Sequence, residues 1–149
     1  MSNTQNRKAK HLSICINPRE YSVETDDTGF SQLRFLHNAL PELDSAKIDT
    51  TVEFLGYRVS SPLFISCMTG GSAEGFRANR NFARAAERTG VPVGMGSIRV
   101  LFEHEEVFEH FHLKSLAPSV PVMANIGGVQ LTNIPHDRLI DMVRRLEAD

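Results

Sequence analysis

Pro62-Leu63-Phe64-Ile65-Ser66-Cys67-Met68-Thr69-Gly70-Gly71 is a nearly continuous apolar run that ends on a polar residue and a glycine pair. That pattern predicts a strand buried on both faces. Two later stretches repeat it: Val91-Pro92-Val93-Gly94-Met95-Gly96-Ser97, and Pro121-Val122-Met123-Ala124-Asn125-Ile126 followed by Gly127-Gly128. The strand-opening prolines stand at 62, 92 and 121, separations of 30 and 29 residues (92 − 62 and 121 − 92). Each run carries a small polar residue at its C-terminal end, namely Thr69, Ser97 and Asn125.

Helical patterns fill the intervals. After Gly71, Phe76, Ala83 and Ala86 share one side and Arg77, Arg80, Arg84 and Arg88 another, with Gly90 placed as a C-cap. After Ser97, Val107, Phe108 and Phe111 follow helical spacing, with Leu113 and Leu116 beyond, and over 136–147 Leu139, Ile140, Val143 and Leu146 fall on one face. Strands alternating with helices at this interval are βα units and predict an α/β fold with a parallel sheet. Its two common forms are the open doubly wound sheet and the closed eight-unit barrel. A barrel needs about 250 residues, and this chain carries three units, with a fourth strand due where it stops at Asp149. The expectation is therefore a portion of a larger fold, with its ligand face at the C-terminal ends of the strands.

Upstream the pattern is looser. Over 27–40, Phe30, Leu33, Leu36 and Leu40 follow helical spacing until Pro41 stops the run. Over 50–59, alternation around Gly56 predicts a short hairpin. Before Glu20 there is no acidic residue, while Arg7, Lys8, Lys10 and Arg19 are present. The first dozen residues thus read as a polar, cationic arm ending in His11-Leu12, and composition alone favours a solvated terminus. The organisation expected is 1–61 as arm, helix and hairpin, and 62–149 as three βα units.

Composition narrows the function classes. Sixteen basic against 18 acidic residues give a net charge of −2, with 41% apolar and 23% charged residues, an ordinary globular balance. No global basic field exists for gripping nucleic acid. No apolar run approaches the ~18 residues that span a bilayer, and the N-terminus lacks the apolar stretch of a signal peptide. With Cys15 and Cys67 alone, a reduced cytoplasmic setting is expected, with no membrane or nucleic-acid partner.

Several motifs bear on chemistry. Gly94-Met95-Gly96-Ser97-Ile98-Arg99 begins like a dinucleotide fingerprint but has Arg99 in place of the third glycine, so it fails as one. Its glycines would let a phosphate or flat ring approach, and Arg99 offers a fork of donors; tight-turn glycines account for it equally well. Met68-Thr69-Gly70-Gly71 is a turn in the plain reading and a site edge when the three strand ends converge. Glu103-His104-Glu105-Glu106-Val107-Phe108-Glu109-His110-Phe111-His112 lacks the second histidine four residues after the first that a zinc helix needs, and no metal ligand is assigned. Cys67, inside an apolar run, reads as a packed small residue rather than a nucleophile.

Arg7-Lys8-x-x-His11-Leu12, Phe54-Leu55-Gly56, Pro62-Leu63-Phe64-Ile65-x-x-Met68-Thr69-Gly70-Gly71, Gly94-x-Gly96-Ser97-x-Arg99 and Ala124-Asn125-Ile126-Gly127 occur in this order. Together they resemble the N-terminal part of a type 2 isopentenyl-diphosphate isomerase, from Arg7 to the end of the chain. The resemblance implies a flavin-binding (β/α)₈ TIM barrel that interconverts isopentenyl and dimethylallyl diphosphates with reduced FMN and Mg²⁺, a nicotinamide cofactor (NADPH) reducing the flavin. It implies that Cys67, Met68, Thr69, Ser97 and Asn125 contact FMN, Cys67 standing where the family commonly has alanine. It also implies that Arg7, Lys8, Ser97, Ile98 and Arg99 meet the diphosphate, which turns the cationic terminus from a frayed end into a substrate clamp. An arginine fork and a lysine point charge suit that anion.

The family's glutamine and magnesium-binding glutamate lie beyond the third unit, so no catalytic residue is assigned. The chain alone is expected to be inactive unless a complementing C-terminal half completes it, and complete members commonly form homo-oligomers. Two other readings stand beside this one: a flavin-binding half-barrel without isomerase activity, and another FMN-dependent barrel oxidoreductase.

Overall fold

The computed structural model describes residues 3–22 and 27–149, and the side chains of residues 3–5 and 7–9 lie outside the described set. The chain runs through helix α1 (Asn3–Ile16), a hairpin of β1 (Val52–Phe54) and β2 (Tyr57–Val59), helix α2 (Ala73–Thr89), strands β3 (Val93–Ser97) and β4 (Val122–Asn125), and helix α3 (His136–Arg145). The fold is α/β.

The sheet is parallel where β3 and β4 pair, Val93 opposite Val122 and Ser97 opposite Asn125. The run at 62–69 lies along the other edge of β3. Ile65 N–H donates to Pro92 O (2.9 Å), Gly94 N–H to Ile65 O (2.8 Å) and Gly96 N–H to Thr69 O (2.9 Å). Between the last two bonds β3 advances two residues (96 − 94) while its neighbour advances four (69 − 65), so two extra residues bulge out. The strand expected there is therefore interrupted, and Ile65 alone forms a bridge, to Val93. Nor is it buried on both faces: Leu63, Phe64 and Met68 are 70%, 52% and 62% exposed.

The core lies on one side of this sheet. Val93, Met95, Ile98 and Val122 are fully buried with Ala83 and Ala86 of α2 and Leu146 just past α3. Helix α2 forms as its pattern predicts. Ser72 Oγ accepts from Gly75 N–H at 3.1 Å at its start, and Gly90 ends it in the left-handed region at φ 69°. Helix α3 also forms, but Met142 is buried with Leu146 while Ile140 turns outward, half exposed.

Three further expectations change. The interval 98–116 is a series of 3-10 turns, Ile98–Phe102, Glu105–His110 and Lys114–Leu116, rather than an α-helix. Its apolar residues still reach the core, Phe111 and Leu113 being buried. Asn79 Nδ2, on α2, donates to His110 O at 2.8 Å and so satisfies a carbonyl from outside the segment.

The stretch 27–40 holds one 3-10 turn, Phe30–Gln32. Asp27 takes Gly29 N–H (2.7 Å) and Ser31 O–H (2.9 Å), a local alternative to helix. Leu33, Leu36 and Leu40 stay exposed, with no apolar face against them among the described residues. Conversely, the N-terminal stretch expected as an arm is the 14-residue helix α1, free of glycine and proline and closed before Pro18, where Asn17 Nδ2 donates to Ser13 O.

The hairpin is as predicted, with Leu55 and Gly56 both at positive φ as a two-residue turn demands. It is fastened at the end of the sheet where β4 starts. Lys114 Nζ donates to Tyr57 Oη (2.9 Å), Asp149 Oδ2 (2.7 Å) and Val120 O (3.1 Å), and Tyr57 O–H donates to Asp149 Oδ1 (2.9 Å). Among the described residues, no helix is long and apolar enough to cross a membrane.

Candidate functional site

The C-terminal ends of the three parallel runs bring Thr69, Ser97 and Asn125 to one edge. Ser97 and Asn125 stand directly opposite in register, and the Gly96 bond to Thr69 joins the first run to the second. The glycines of the Gly94-x-Gly96 pair are not among the positive-φ residues, so a tight turn is not what they serve. They admit a close neighbour. A Cβ on Gly96 would lie 2.5 Å from Thr69 O and 2.7 Å from Thr69 N, and one on Gly94 would run into Cys67 Sγ.

Thr69 is the buried member of the edge, 6% exposed, and its Oγ1 has no hydrogen-bond partner among the described residues. It sits over the first turn of α2, where a Cβ on Gly75 would come within 2.7 Å of it. A buried hydroxyl in that position has capacity for a polar ligand beside a helix N-terminus.

Cys67 is half-buried against Gly94. Burial pushes its thiol up, more than its own backbone amide draws it down, so it stays protonated at neutral pH and packs rather than attacks. Met68, thrown outward by the bulge, lines a cavity of about 220 Å³ together with Thr69 and with His11, Leu12 and Cys15 of α1. Ser97 Oγ accepts from Arg99 N–H at 3.4 Å, and Arg99 is half-buried. The Ile98 side chain is fully buried in the core, which leaves its main chain alone to a ligand. Arg7 and Lys8 belong to α1 by backbone, but their side chains lie outside the described residues.

In the sequence His11 and Leu12 belong to one motif, and no motif marks Cys15 as their neighbour in a cavity. Their spacing of one helical turn was the available signal, hidden because the segment read as an arm. The histidines of the acidic stretch diverge: His104 Nδ1 meets Glu106 (3.0 Å), His112 Nε2 meets Glu147 (2.8 Å) and the His110 ring stacks on Phe76 (4.6 Å). Among the described residues, no three of His, Cys, Asp and Glu gather as a metal site.

A parallel βα edge with a glycine-backed polar rim is the arrangement of a flavin- or phosphate-binding α/β protein. The chain belongs to the FMN-dependent dehydrogenase family, whose model matches residues 11–119. Within it, the motif resemblance to type 2 isopentenyl-diphosphate isomerases holds: curated relatives named isopentenyl-diphosphate delta-isomerase include those of Chlorobaculum parvum, 43% identical over 98% of this chain and 41% of the relative. That of Borreliella afzelii is 38% identical over 99% of this chain and 41% of the relative. That of Rickettsia prowazekii is 40% identical over 84% of this chain and 36% of the relative. The chain thus spans about two fifths of the length of these relatives.

Proposed function

We propose that this chain supplies the N-terminal βα units of an FMN-dependent isopentenyl-diphosphate isomerase. In this reading 62–149 form the first three units of a (β/α)₈ barrel, and 1–61 are an N-terminal segment whose hairpin closes the far end. The observation that carries it is the convergence of Thr69, Ser97 and Asn125 on one edge, backed by the contact of Gly96 with Thr69.

The residues present fit a flavin mononucleotide. Thr69 has an unused buried hydroxyl, Ser97 and Asn125 offer polar side chains at opposite register positions, and Met68 presents a flexible apolar neighbour at the cavity. Cys67, Met68, Thr69, Ser97 and Asn125 would hold it. Reduced FMN, when bound, supplies the acid/base function that moves a proton between carbons of an unactivated alkene, for which this chain offers no obvious side-chain acid.

The chain's own part is to bind, orient and exclude water. Arg7 and Lys8 on α1, with the Ser97-Ile98-Arg99 main chain and the Arg99 guanidinium, would grip the diphosphate of the isopentenyl or dimethylallyl substrate. Helix α1 lies over Met68 and Thr69, where it would cover the reacting carbons. By the resemblance, the catalytic glutamine and the magnesium-binding glutamate would lie in the part of the relatives' length that this chain does not span, with NADPH as the flavin's reductant. A complementing C-terminal portion and homo-oligomeric assembly in the cytoplasm complete the proposal.

The test is isopentenyl diphosphate with FMN, dithionite and Mg²⁺ in deuterated water. The assay compares the chain alone with the chain plus the C-terminal portion of the Chlorobaculum parvum relative. Deuterated dimethylallyl product in the mixture, and none from either part, is the expected result. A mixture that binds FMN yet oxidises 2-hydroxy acids and leaves the diphosphate untouched would point to the oxidoreductase reading.

A further inference from the structure

We propose that His11, Cys15 and Met68 form a soft-metal site that takes one Cu(I) ion at the joint between α1 and the strand end. His11 and Cys15 are one turn apart on α1 and so project from the same face. Both line the cavity of about 220 Å³ whose opposite wall is Met68. Residues that carry an imidazole, a thiol and a thioether thus border one space, and Leu12 adds an apolar wall beside them.

The donor set selects the ion. Thiolate and thioether sulfurs favour Cu(I), whereas Mg²⁺ and Ca²⁺ demand oxygen donors. No carboxylate lines the cavity, and α1 carries basic residues without a single acidic one. A divalent ion would add charge to a helix that is already cationic; Cu(I) with one thiolate is neutral. The cavity exceeds the volume of an ion, and the three rotatable bonds of Met68 let its sulfur swing inward. Cys15 and Met68 are both solvent-accessible, so the ion has a path in. On binding, the Cys15 S–H bond breaks, a Cu–S bond forms and one proton leaves to solvent; copper stays in the +1 state. The ion pins α1 onto Met68 and thereby occupies the mouth of the edge described above. The site itself needs neither flavin nor diphosphate.

The experiment is an anaerobic titration of the chain with Cu(I) against bicinchoninate, together with copper K-edge absorption. One ion per chain, with one nitrogen and two sulfur scatterers, is expected. Cys15→Ser weakens binding by about 100-fold or more and Met68→Leu by about tenfold, while Cys67→Ser leaves it unchanged. Far-ultraviolet dichroism matching the parent confirms that each variant is folded. Parent-like binding by Cys15→Ser, loss that follows Cys67→Ser, or a two-sulfur shell that persists in Met68→Leu overturns the proposal.

Discussion

Two stretches of this chain carry the same helical spacing of apolar residues and end differently. Over 136–147 the pattern becomes α3, with Met142 and Leu146 buried in the core cluster. Over 27–40 it becomes one 3-10 turn, and Phe35 and Leu36 are 101% and 100% exposed. Among the described residues, none before Val59 is buried, while every member of the core cluster lies from Ala83 onward. Periodicity states which residues would share a face; a helix is stabilised mainly when another surface removes that face from water. Helix α3 has such a surface, and 27–40 finds none among the described residues.

The sharpest way to break the contrast is to truncate one aromatic on each side. Phe111→Ala, at a fully buried position whose ring also fills the space beside Gly70, is expected to cost about 3–5 kcal/mol in a urea melt. A loss under 1 kcal/mol would show that the packed region is no better ordered than 27–40.

Next in size is Gly96→Ala. Its methyl meets Thr69 backbone rather than a movable side-chain tip, so a loss of about 2–3 kcal/mol is expected. Weakened FMN binding in the complemented protein should accompany it, read by flavin fluorescence. Unchanged stability would mean that the run at 62–69 can move away from β3.

The Lys114–Asp149 pair ties the hairpin to the packed part of the chain through Tyr57, and its side chains are 16% and 20% exposed. Burial pushes the Asp149 carboxyl up, but the hydrogen bonds from Lys114, Val122 N–H and Tyr57 outweigh it, and the net direction is down. Burial likewise pulls Lys114 down, and its bonds to Asp149 and Tyr57 raise it above the ordinary lysine value. Asp149→Asn should therefore cost about 2 kcal/mol at neutral pH. A depressed carboxylate stabilises above its unfolded value and loses that contribution as pH falls through the lower folded one. The parent's advantage should thus fade in acid, below the ordinary carboxylate range, and hold at neutral pH. The raised lysine gives the alkaline counterpart: its contribution is complete below the ordinary lysine value and fades as pH rises through the higher folded one. An advantage that persists far into acid would exclude the ionised pair as its source.

Ser72→Ala removes the side-chain acceptor at the start of α2 and should cost about 1 kcal/mol in thermal melts. At the small end, Phe35→Ser is expected to shift stability by no more than about 0.5 kcal/mol. A large loss there would show that 27–40 has a covering surface in solution.

The edge that carries the candidate site was legible because it depends on strand ends. The polar residue that closes each apolar run, Thr69, Ser97 and Asn125, could be picked out from the position of the run's C-terminal end in each βα unit. What lies against those ends was not legible. Cys15 lies 53 residues from Met68 (68 − 15), and no local pattern reports that the two line one cavity. The purpose of Gly94 and Gly96 was likewise open until the neighbouring run came into view, since a glycine required by a turn and one required by a neighbour look alike in sequence.

By itself the sequence determined the α/β class, α2 with its Gly90 end, the hairpin about Leu55-Gly56 and the parallel pair β3 and β4. These rest on local signals: caps, positive-φ turn residues and short apolar runs between breakers. Tertiary structure alone decided that 62–69 would bulge beside Gly94 and Gly96. It also decided that 98–116 would wind as 3-10 turns, that α1 would lie over Met68, and that 27–40 would find no covering surface among the described residues. Each of those outcomes depends on what a segment packs against, and the partner lies far away in the chain.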